Sequence, residues 1–502
     1  MWIEVNRMNK RIITRLMVLA MTLCMVGCGS DNIDNAENTN DSDSAVGTDI
    51  QSGADNEETD APLDANLPDV DYDGYKFRIL AADNDVDMIY SDELDGSLVN
   101  DAVFNANKSV ETRFNIELEH IPLSSWDDSN FISSSIMSGS DDFDVGVCHD
   151  CTSGSLSLKG LFYDLYQLEY LDFSKPWWPE FTTSQLTLNG KMYIFSNYIG
   201  YNGLRGTKNM YVNLDKLDEY QIDSPYDMVR DGSWTLDRLI EITKDVYADL
   251  DGNTEATSED FYGFAFTGLF YGWLENFGIE AYKHVDNNTR VELDINNERT
   301  TTLIDKVKGW LYGGNEGVYY RPTHTSLYDP GSYPYMFANG NCLFTYGSLY
   351  VLIDNLYDSQ VTYGILPMPK FDENQEYYYG VCYDSPMWVP ITVTDTERTG
   401  IILEGMSAEG YRTILPAYKD IALKNRYAVD TDSAEMLDII FANRVLSFSY
   451  IYGGADGFQG ILNTLIPSDT LEFASYYAQN EARQQAVLDE INEFYSSGTA
   501  VE

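Results

Sequence analysis

The segment Lys191–Leu214 constrains the fold of this chain more than any other stretch. Its sequence, KMYIFSNYIGYNGLRGTKNMYVNL, begins as a short apolar strand, continues through a connector that contains Gly200, Gly203 and Gly206, and ends in a strand-like run at Met210–Val212. Two strands joined by a glycine-rich, aromatic connector are typical of a chain that crosses from one lobe to another. We therefore expect two lobes, with this crossing segment lining the cleft between them.

Composition limits the classes of function. The chain has 502 residues, enough for two or three domains, and its 44% hydrophobic and 14% aromatic residues are ample for folded cores. Acidic residues outnumber basic ones by 81 to 31, and the formal net charge of −50 repels phosphate backbones. We therefore expect no nucleic-acid partner. The 38 tyrosines suit carbohydrate recognition, although tyrosines also fill ordinary cores.

Residues 1–28 have the pattern of a lipoprotein signal peptide. Basic residues precede the apolar run Leu16–Val26, which is too short to span a bilayer. The run ends in MVGC, which is similar to a bacterial lipobox with Cys28 as the lipidated residue. We expect an exported protein held to the outer face of a cell membrane by this lipid alone. A cleaved secretory signal with an incidental cysteine is the alternative, and Met8 is an alternative start.

A polar segment separates this anchor from the body. Residues 29–70 are mostly Asp, Asn, Ser, Glu, Thr, Gly and Ala, which predicts a disordered acidic tether. We assign 71–199 plus 378–415 to lobe 1, and 200–377 plus 416–502 to lobe 2. The glycine-rich connector and the region near residues 378–380 would supply the hinge.

Strand and helix patterns alternate through the start of the body. Alternating or apolar runs predict strands at 72–80, 115–121 and 143–147, and amphipathic spacing predicts helices at Leu98–Phe114 and Trp126–Met137. This order predicts an α/β lobe with a mostly parallel sheet. Ligands of such sheets meet the loops at the carboxyl ends of the strands. The loop after the third strand is therefore a candidate site.

That loop contains Cys148 and Cys151 in a CxxC motif with three interpretations. A redox pair would need the motif at a helix N-terminus, and the following TSG is a poor helix start. Zinc would need further ligands, and the four histidines show no paired ligand spacing. A simple disulfide or two small thiols is favoured. Cys342 and Cys382 could also pair in an oxidising exterior, which the sequence leaves open.

Several stretches resemble one known family. They are KPWW, GKMYIF…MYVNLDKLDEYQI…PYDMVRDGSWTLDRLIEITKDVYADLDGN…DFYGF, YGILPMPKFDENQEYYY and VPITVTDTERTGIILEGMSAEGYRTILPAYKDIALKNRYAVDTDSAEMLDII. In this order they resemble the extracellular solute-binding lipoproteins, family 1, of bacterial ABC transporters. The resemblance implies a type II periplasmic-binding-protein fold of two α/β lobes with hinge strands and a ligand between them. It also implies a monomer that captures a sugar or oligosaccharide for ABC permease subunits.

A sugar cleft needs planar rings and groups that hydrogen-bond vicinal hydroxyls. The candidates on the crossing and loop segments are Asp150, Trp178, Tyr198, Tyr201, Arg205, Tyr346, Tyr350, Asp384 and Trp388. Arg205 is the most suggestive, because an arginine among glycines has no packing role; a surface ion pair is its alternative. Of the adjacent Trp177 and Trp178, we expect one in the core and the other near a surface or cleft.

An acidic loop is a candidate metal site. Asp249, Asp251 and Asn253 resemble the first half of an EF-hand-like loop, Asp260 stands where the closing Glu belongs, and Thr254 replaces the expected glycine. A structural calcium ion is one interpretation, and an acidic solvated loop is the other. We expect no other cofactor.

Catalysis is a second class of function. Among 81 acidic residues, a carboxylate pair at glycosidase spacing could arise by chance. The sequence contains no nucleophile elbow, HExxH or phosphate loop, so we do not expect an enzyme. A surface-anchored carbohydrate-active enzyme, or an adhesin without a transport role, is the alternative to a transport protein.

Overall fold

The computed structural model describes residues 65–321, 331–351, 355–356, 359–383, 385–424, 431–454 and 457–497. The predicted signal peptide, Cys28 and the tether up to residue 64 lie outside the described residues, and so does Asp384. Among the described helices, none combines the length and the apolar character needed to cross a membrane.

The described elements alternate between helices and strands. The helices are α1 (Asp83–Val86), α2 (Leu98–Phe114), α3 (Ser129–Met137), α4 (Asp150–Leu158), α5 (Glu180–Leu186), α6 (Asn202–Gly206), α7 (Pro225–Asp231), α8 (Leu236–Thr243), α9 (Trp273–Asn276), α10 (Glu298–Tyr312), α11 (Tyr333–Ala338), α12 (Thr396–Lys424), α13 (Thr431–Ala442), α14 (Phe448–Gly453), α15 (Ile461–Leu465) and α16 (Phe473–Ser497). The strands are β1 (Tyr75–Ala82), β2 (Ile116–Leu123), β3 (Val145–Val147), β4 (Lys208–Asn213), β5 (Tyr247–Ala248), β6 (Phe261–Phe266), β7 (Tyr282–Val285), β8 (Arg290–Leu293), β9 (Val318–Tyr320), β10 (Cys342–Ser348), β11 (Tyr363–Leu366), β12 (Gly380–Val381), β13 (Met387–Trp388) and β14 (Arg444–Val445). Short 3₁₀ helices cover Leu165–Gln167, Leu214–Lys216 and Phe458–Gly460.

The first sheet has the strand order β13-β3-β1-β2. β1 pairs in parallel with both β2 and β3, and β13 pairs antiparallel to β3. The strand–helix alternation of the sequence therefore gives a mostly parallel sheet, as predicted. Because all three parallel strands end at the same edge, their following loops lie together.

Helix α2 has the bounds that its apolar spacing predicts. Val99, Val103, Val110 and Phe114 are buried on one face, and the helix packs against α12. It ends at Asn115, whose φ of 48° is left-handed and whose amide donates to the carbonyl of Glu111. Asparagine tolerates this conformation better than most residues, so it stops the helix.

The second sheet has the order β11-β4-β10-β6-β5, and β9 also pairs with β6. β10 and β9 run parallel to β6, whereas β4 is antiparallel to both of its neighbours. All residues of β6 and β10 are buried. Such continuous apolar runs are typical of strands that are covered on both faces.

Two chain segments that connect the sheets run side by side. Thr207, directly before β4, pairs with Cys382 in an antiparallel bridge. A Cβ atom at position 206 would lie 1.9 Å from the carbonyl oxygen of Tyr383, so only glycine permits this approach. The connector within Lys191–Leu214 forms the short helix α6, and its function as a hinge stays a prediction.

The body begins earlier than predicted. Ala65 is 6% exposed, Leu67 packs against the core, and the carbonyl of Leu67 accepts a hydrogen bond from Arg113 Nη2 at 3.3 Å. The boundary of the tether at residue 70 is therefore too late. Single apolar residues within a polar stretch have no periodicity, so the sequence did not reveal that they pack.

For helix α8 the sequence predicts Thr235 as the N-cap and an end at about Tyr247. The helix begins as predicted and ends early. The Oγ1 atom of Thr235 accepts the amide of Arg238 at 3.3 Å, which confirms the expected N-cap. The helix ends at Thr243 instead of continuing to Tyr247, because Tyr247 and the next residue form β5, which pairs with β6.

Candidate functional site

Three loops of the first sheet line one cavity. Asp85 follows β1, Trp126 follows β2, and His149 and Asp150 follow β3. They meet because parallel strands place their carboxyl ends at one edge of the sheet. We call the space that they line, about 480 Å³ in volume, the central cavity.

The second sheet contributes another wall of the central cavity. Phe266 ends β6 and Tyr271 follows it, while Tyr346 and Ser348 end β10 and Tyr350 follows. β6 and β10 are parallel, so these residues also lie at the carboxyl ends of parallel strands. Both sheets therefore have the carboxyl ends of parallel strands at the central cavity.

The connecting segments and two helices complete the lining. From the connecting segments come Asn202, Arg205, Lys208, Tyr383 and Ser385, and from α11 and α14 come Tyr333 and Tyr450. Residues far apart in the chain thus line one cavity, because long-range sheet pairing brings them together.

Aromatic rings form much of the lining. The indole of Trp126 is 45% exposed and meets the His149 ring edge to face, with 4.2 Å between centroids. The ring of Tyr450 lies 5.3 Å from Tyr271 and 5.0 Å from Tyr383. Such rings offer an apolar face together with a polar edge, which suits a ligand that carries both C–H patches and hydroxyls.

Two buried carboxylates lie in the same space. Asp85 is 6% exposed, and its Oδ1 atom accepts the hydroxyl of Ser385 at 2.8 Å. Burial raises the pKa of Asp85, although the Ser385 hydrogen bond and the charge of Arg205 act in the opposite direction. Asp150 is also buried and lies in the first turn of α4, where the helix dipole favours a negative charge.

Two cations come from α6 and from the first residue of β4. The guanidinium of Arg205 lies 5.3 Å from the ring centroid of Tyr350. The ammonium of Lys208 lies 5.5 Å from the ring of Tyr383 and 5.8 Å from that of Tyr346. Burial lowers the pKa of Lys208 to about 8. The cavity therefore presents both signs of charge between aromatic faces.

Histidine 149 is the other titratable group beside these rings. Its Nε2 atom lies 3.4 Å from the hydroxyl of Tyr450. Burial lowers the pKa of His149 below its ordinary value, so the ring is neutral at pH 7.

Four buried polar atoms of the lining have no hydrogen-bond partner among the described residues. They are Asp85 Oδ2, Asn202 Nδ2, Ser348 Oγ and Tyr383 Oη. A buried polar group without a partner costs on the order of 1–3 kcal/mol. These four atoms can therefore form hydrogen bonds with a molecule bound in the cavity.

Comparison with known proteins identifies the fold. No family model matches the sequence, and no curated protein matches it. Solved structures do. An ABC substrate-binding protein of Listeria monocytogenes in complex with cycloalternan is 15% identical, with 85% of this chain and 100% of that chain covered and a TM-score of 0.51.

Two further structures are similar. UgpB of Mycobacterium tuberculosis in complex with glycerophosphocholine is 14% identical, with coverage of 83% and 98% and a TM-score of 0.53. The GacH receptor of Streptomyces glaucescens, solved unliganded and with acarbose, is 12% identical, with coverage of 83% and 99% and a TM-score of 0.52. The chain has the two-lobed fold of these substrate-binding proteins. The predicted fold class, α/β and of the periplasmic-binding-protein type, is confirmed.

Four of the predicted ligand residues line the central cavity. They are Asp150, Arg205, Tyr346 and Tyr350. Their role in ligand binding stays a prediction. Arg205 was singled out because an arginine among glycines has no packing role, and its guanidinium lies over a cavity tyrosine.

Four other predicted residues lie outside the cavity lining. Tyr198 accepts a hydrogen bond from Arg444 Nη2 at 2.8 Å, and Tyr201 stacks on Tyr418 with 5.5 Å between centroids. Trp388 is fully buried and stacks on Phe162 at 4.3 Å. The three aromatic residues pack in the interior around the connecting segments, which the sequence alone does not distinguish from a cleft, and their role in ligand binding stays a prediction.

Trp178 is the fourth predicted residue outside the cavity lining. Its Nε1–H donates to Glu404 Oε2 at 2.7 Å, while Trp177 Nε1–H donates to Glu404 Oε1 at 2.8 Å. Both indoles are buried. The expectation that one would face a surface or cleft is wrong, because a single carboxylate on α12 offers an acceptor to each ring. We call these three residues the Glu404 cluster.

The sequence reasoning missed several residues of the lining. Asp85 and Trp126 follow the first two parallel strands, so the strand-end rule applied to the third strand could have found them. Lys208, Ser348 and Tyr383 had no such signal, because only the pairing of distant segments brings them to the cavity.

The CxxC motif is not a reactive pair in this structure. Cys148, Cys151, Cys342 and Cys382 form no disulfide bond in the described part of the chain. Burial raises the pKa of Cys148 to about 12, which disfavours a nucleophilic thiolate. The expectation that this stretch is a poor helix start is wrong, since α4 begins at Asp150, directly before Cys151.

The acidic loop brings carboxylates together. Oxygen atoms of Asp249, Asp251 and Asp260 lie within 4.8 Å of one another, and Asp260 is fully buried. Loop amides already donate to all three, for example that of Thr257 to Asp260 Oδ2 at 3.0 Å. The fourth predicted ligand, Asn253, donates its side-chain amide to Asp251 Oδ2 at 2.6 Å. A calcium ion at this loop stays a prediction.

Proposed function

We propose that this protein is a lipid-anchored extracellular substrate-binding protein that captures a sugar or oligosaccharide for an ABC importer. One observation carries the proposal: the central cavity combines ring faces with buried polar atoms that lack partners, such as Asp85 Oδ2 and Tyr383 Oη. Saccharides carry apolar C–H patches and hydroxyls side by side, so they complement this lining.

The ligands of the similar structures support this class of cargo. Cycloalternan and acarbose occupy two of the proteins with this fold, and glycerophosphocholine occupies another. All three ligands carry hydroxyl groups. At 12–15% identity a particular ligand does not transfer from one chain to another, so the proposal rests on the lining of this cavity.

The same geometry supports a closing mechanism. A ligand in the central cavity contacts the strand ends of both sheets, and so favours the arrangement in which the two lobes lie close. We expect a dissociation constant on the order of micromolar, roughly −8 kcal/mol, since a carrier must also release its cargo. The partners in this proposal are ABC permease subunits, and the protein acts as a monomer held at the outer face of the membrane by Cys28.

A saccharide screen tests the proposal. The purified protein is mixed with mono- and oligosaccharides, and its melting temperature is measured, since a ligand that binds the native state raises it. At least one saccharide should stabilise the protein, and titration calorimetry should give its affinity. If no saccharide raises the melting temperature, the proposal is wrong.

A matched pair of variants locates the binding. Tyr383→Phe removes a hydroxyl without a described partner and should weaken binding about tenfold without loss of stability. Tyr452→Phe removes a buried hydroxyl that lies 2.5 Å from the Tyr495 hydroxyl, so it should lower stability and leave affinity unchanged. The reverse pattern would place the ligand elsewhere.

We propose that the protein binds its ligand without catalysing a reaction. Two carboxylates of the cavity provide a test of the alternative, a carbohydrate-active enzyme. Asp85 and Asp150 are two buried carboxylates in one space, and glycosidases use such pairs as acid and base. Prolonged incubation of a stabilising oligosaccharide with the protein should leave the oligosaccharide intact by chromatography. Release of shorter saccharides, lost in Asp85→Asn, would establish an enzyme instead.

A further inference from the structure

Lys208 is held in the wall of the central cavity by the second sheet. It is the first residue of β4 and pairs with Ser348 of β10 in antiparallel register. Directly paired residues of antiparallel strands place their side chains on the same face. The Lys208 ammonium and the Ser348 hydroxyl therefore occupy one side of the sheet, and both residues line the cavity.

No described residue neutralises Lys208. Its ammonium has no hydrogen bond and no ion pair among the described residues; its contacts are the rings of Tyr346 and Tyr383. The lowering of its pKa has burial as its cause, without a carboxylate to oppose it. In contrast, Arg205 interacts with the charge of Asp85. Of the two cavity cations, Lys208 is therefore the one whose charge has no counterion among the described residues.

Two further donors without partners lie beside this ammonium. Ser348 Oγ is buried without a partner, on the residue paired with Lys208. Tyr383 Oη is also buried without a partner, on the ring 5.5 Å from the Lys208 ammonium. An ammonium and two hydroxyls form a set of donors that suits the oxygens of an anionic group. The faces of the two tyrosine rings can stabilise the ammonium, but they provide no hydrogen-bond partner for the two hydroxyls.

We propose that Lys208, Ser348 and Tyr383 form an anion subsite of the central cavity, so that the captured saccharide is an acidic one. The inference rests on the proposed function, because it concerns a ligand held in the same cavity. A carboxylate on a sugar ring is the anion that we expect. A phosphate or sulfate ester presents the same kind of oxygens, so the test includes them.

The test compares matched ligands on the whole protein. Titration calorimetry measures the affinity for an oligosaccharide of uronic acid units and for its carboxyl-reduced, neutral counterpart of equal length. We expect the acidic form to bind at least tenfold more tightly. Equal affinity for the neutral form would overturn the anion subsite and leave the proposed function standing. Failure of every saccharide to bind would overturn both.

Variants assign the preference to Lys208. Lys208→Met keeps the length of the side chain and removes its charge, so it should abolish the preference for the acidic ligand, whereas Lys208→Arg should retain it. Lys370→Met is the matched control, since Lys370 is a buried lysine over the Tyr378 ring outside the cavity lining. A preference that survives in Lys208→Met overturns the assignment. Sulfated and phosphorylated ligands that outperform the uronate would retain the subsite and change only its anion.

A pH titration tests the subsite if Lys208→Met does not fold. With a pKa of about 8 in the free protein, Lys208 loses its charge as pH rises. The affinity for the acidic ligand should therefore fall at least tenfold between pH 7.5 and about 9.5, while that for the neutral ligand stays constant. A flat profile for the acidic ligand would overturn the proposal.

Among the other groups near Lys208, Glu275 titrates closest to this interval. Burial raises the pKa values of Tyr346 and Tyr383 well above 10, and Arg205 stays charged. Burial lowers the pKa of His149 below 6.5 and raises that of Glu275, close to both tyrosines, to about 7. Among the described residues of the lining, the carboxyls of Asp85 and Asp150 are the remaining charged neighbours.

Discussion

The Glu404 cluster and the central cavity combine the same chemical parts and use them differently. Each holds a buried carboxylate among aromatic rings. In the Glu404 cluster, Oε1 accepts the Trp177 indole, and Oε2 accepts the Trp178 indole and, at 3.3 Å, the amide of Asp172. In the cavity, Oδ1 of Asp85 has Ser385 as its partner, but Oδ2 has none among the described residues.

This difference separates stability from recognition. A buried carboxylate that is fully hydrogen-bonded holds its surroundings in one arrangement, and losing it leaves its donors unpaired. A buried carboxylate with a free oxygen at a cavity costs stability until a ligand donates to it. We therefore expect substitutions in the first region to affect folding and those in the second to affect binding.

The largest expected effect comes from Glu404→Ala. The change leaves two indole N–H groups and one amide without an acceptor in the core, so the free energy of unfolding should fall by about 3–5 kcal/mol. Urea denaturation measures it. Glu397→Ala on the same helix is the control, since Glu397 is exposed and its loss should stay within about 0.5 kcal/mol. Equal effects of the two substitutions would contradict the comparison.

The next largest effect is expected in the pH dependence of stability. Burial raises the pKa of Glu404 from 4.5 to about 7, against its hydrogen bonds from Trp178 and Trp177. Its folded pKa lies above its unfolded one, so the stabilisation is complete below about pH 4.5 and is lost as pH rises through about 7, by up to about 3 kcal/mol. The difference in unfolding free energy between wild type and Glu404→Gln should shrink over this interval. A difference independent of pH would exclude this linkage.

Substitutions of two buried aspartates, one at the cavity and one outside it, test this difference further. Asp85→Asn should weaken saccharide binding about 10–100-fold, roughly 1.4–3 kcal/mol, with stability unchanged or increased. Asp164→Asn is the matched control. Both oxygens of Asp164 accept hydrogen bonds, among them the amide of Met192 at 3.1 Å, so it should lose stability and keep its affinity. Calorimetry and urea denaturation together check both outcomes.

A smaller effect is expected at the edge of the cavity. Trp126→Ala removes a half-exposed ring that can stack on a sugar face, and binding should weaken about 3–10-fold. Stability should change by less than about 1 kcal/mol, because the indole is 45% exposed. Unchanged calorimetric affinity would remove Trp126 from the binding surface.

The smallest expected effect is at the acidic loop. If Asp249, Asp251 and Asp260 hold calcium, adding a chelator should lower the melting temperature of the wild type by a few degrees and leave Asp251→Asn unaffected. The same response in both proteins, or none in either, would remove the metal from this loop.

Local rules predicted much of the fold. The bounds of α2 follow from apolar residues at helical spacing, and the parallel order of β1–β3 follows from strand–helix alternation. Arg205 was singled out as the one arginine among the connector glycines and lines the cavity, while its role in ligand binding stays a prediction. Trp178 and Trp388 could not be assigned, since their partners, Glu404 and Phe162, lie more than two hundred residues away in the chain. Whether these two tryptophans lie in the core or at a cleft depends on their burial, and burial depends on the whole fold.

The close approach at position 206 has a consequence for how such a protein can diversify. The carbonyl oxygen of Tyr383 occupies the space that a Cβ atom at position 206 would need, and both segments continue directly into residues that line the cavity, Lys208 and Tyr383. A homologue with alanine at this site would have to splay the two strands apart. Its mouth would be wider and the spacing of its donors different, so one methyl group could redirect the protein toward bulkier cargo.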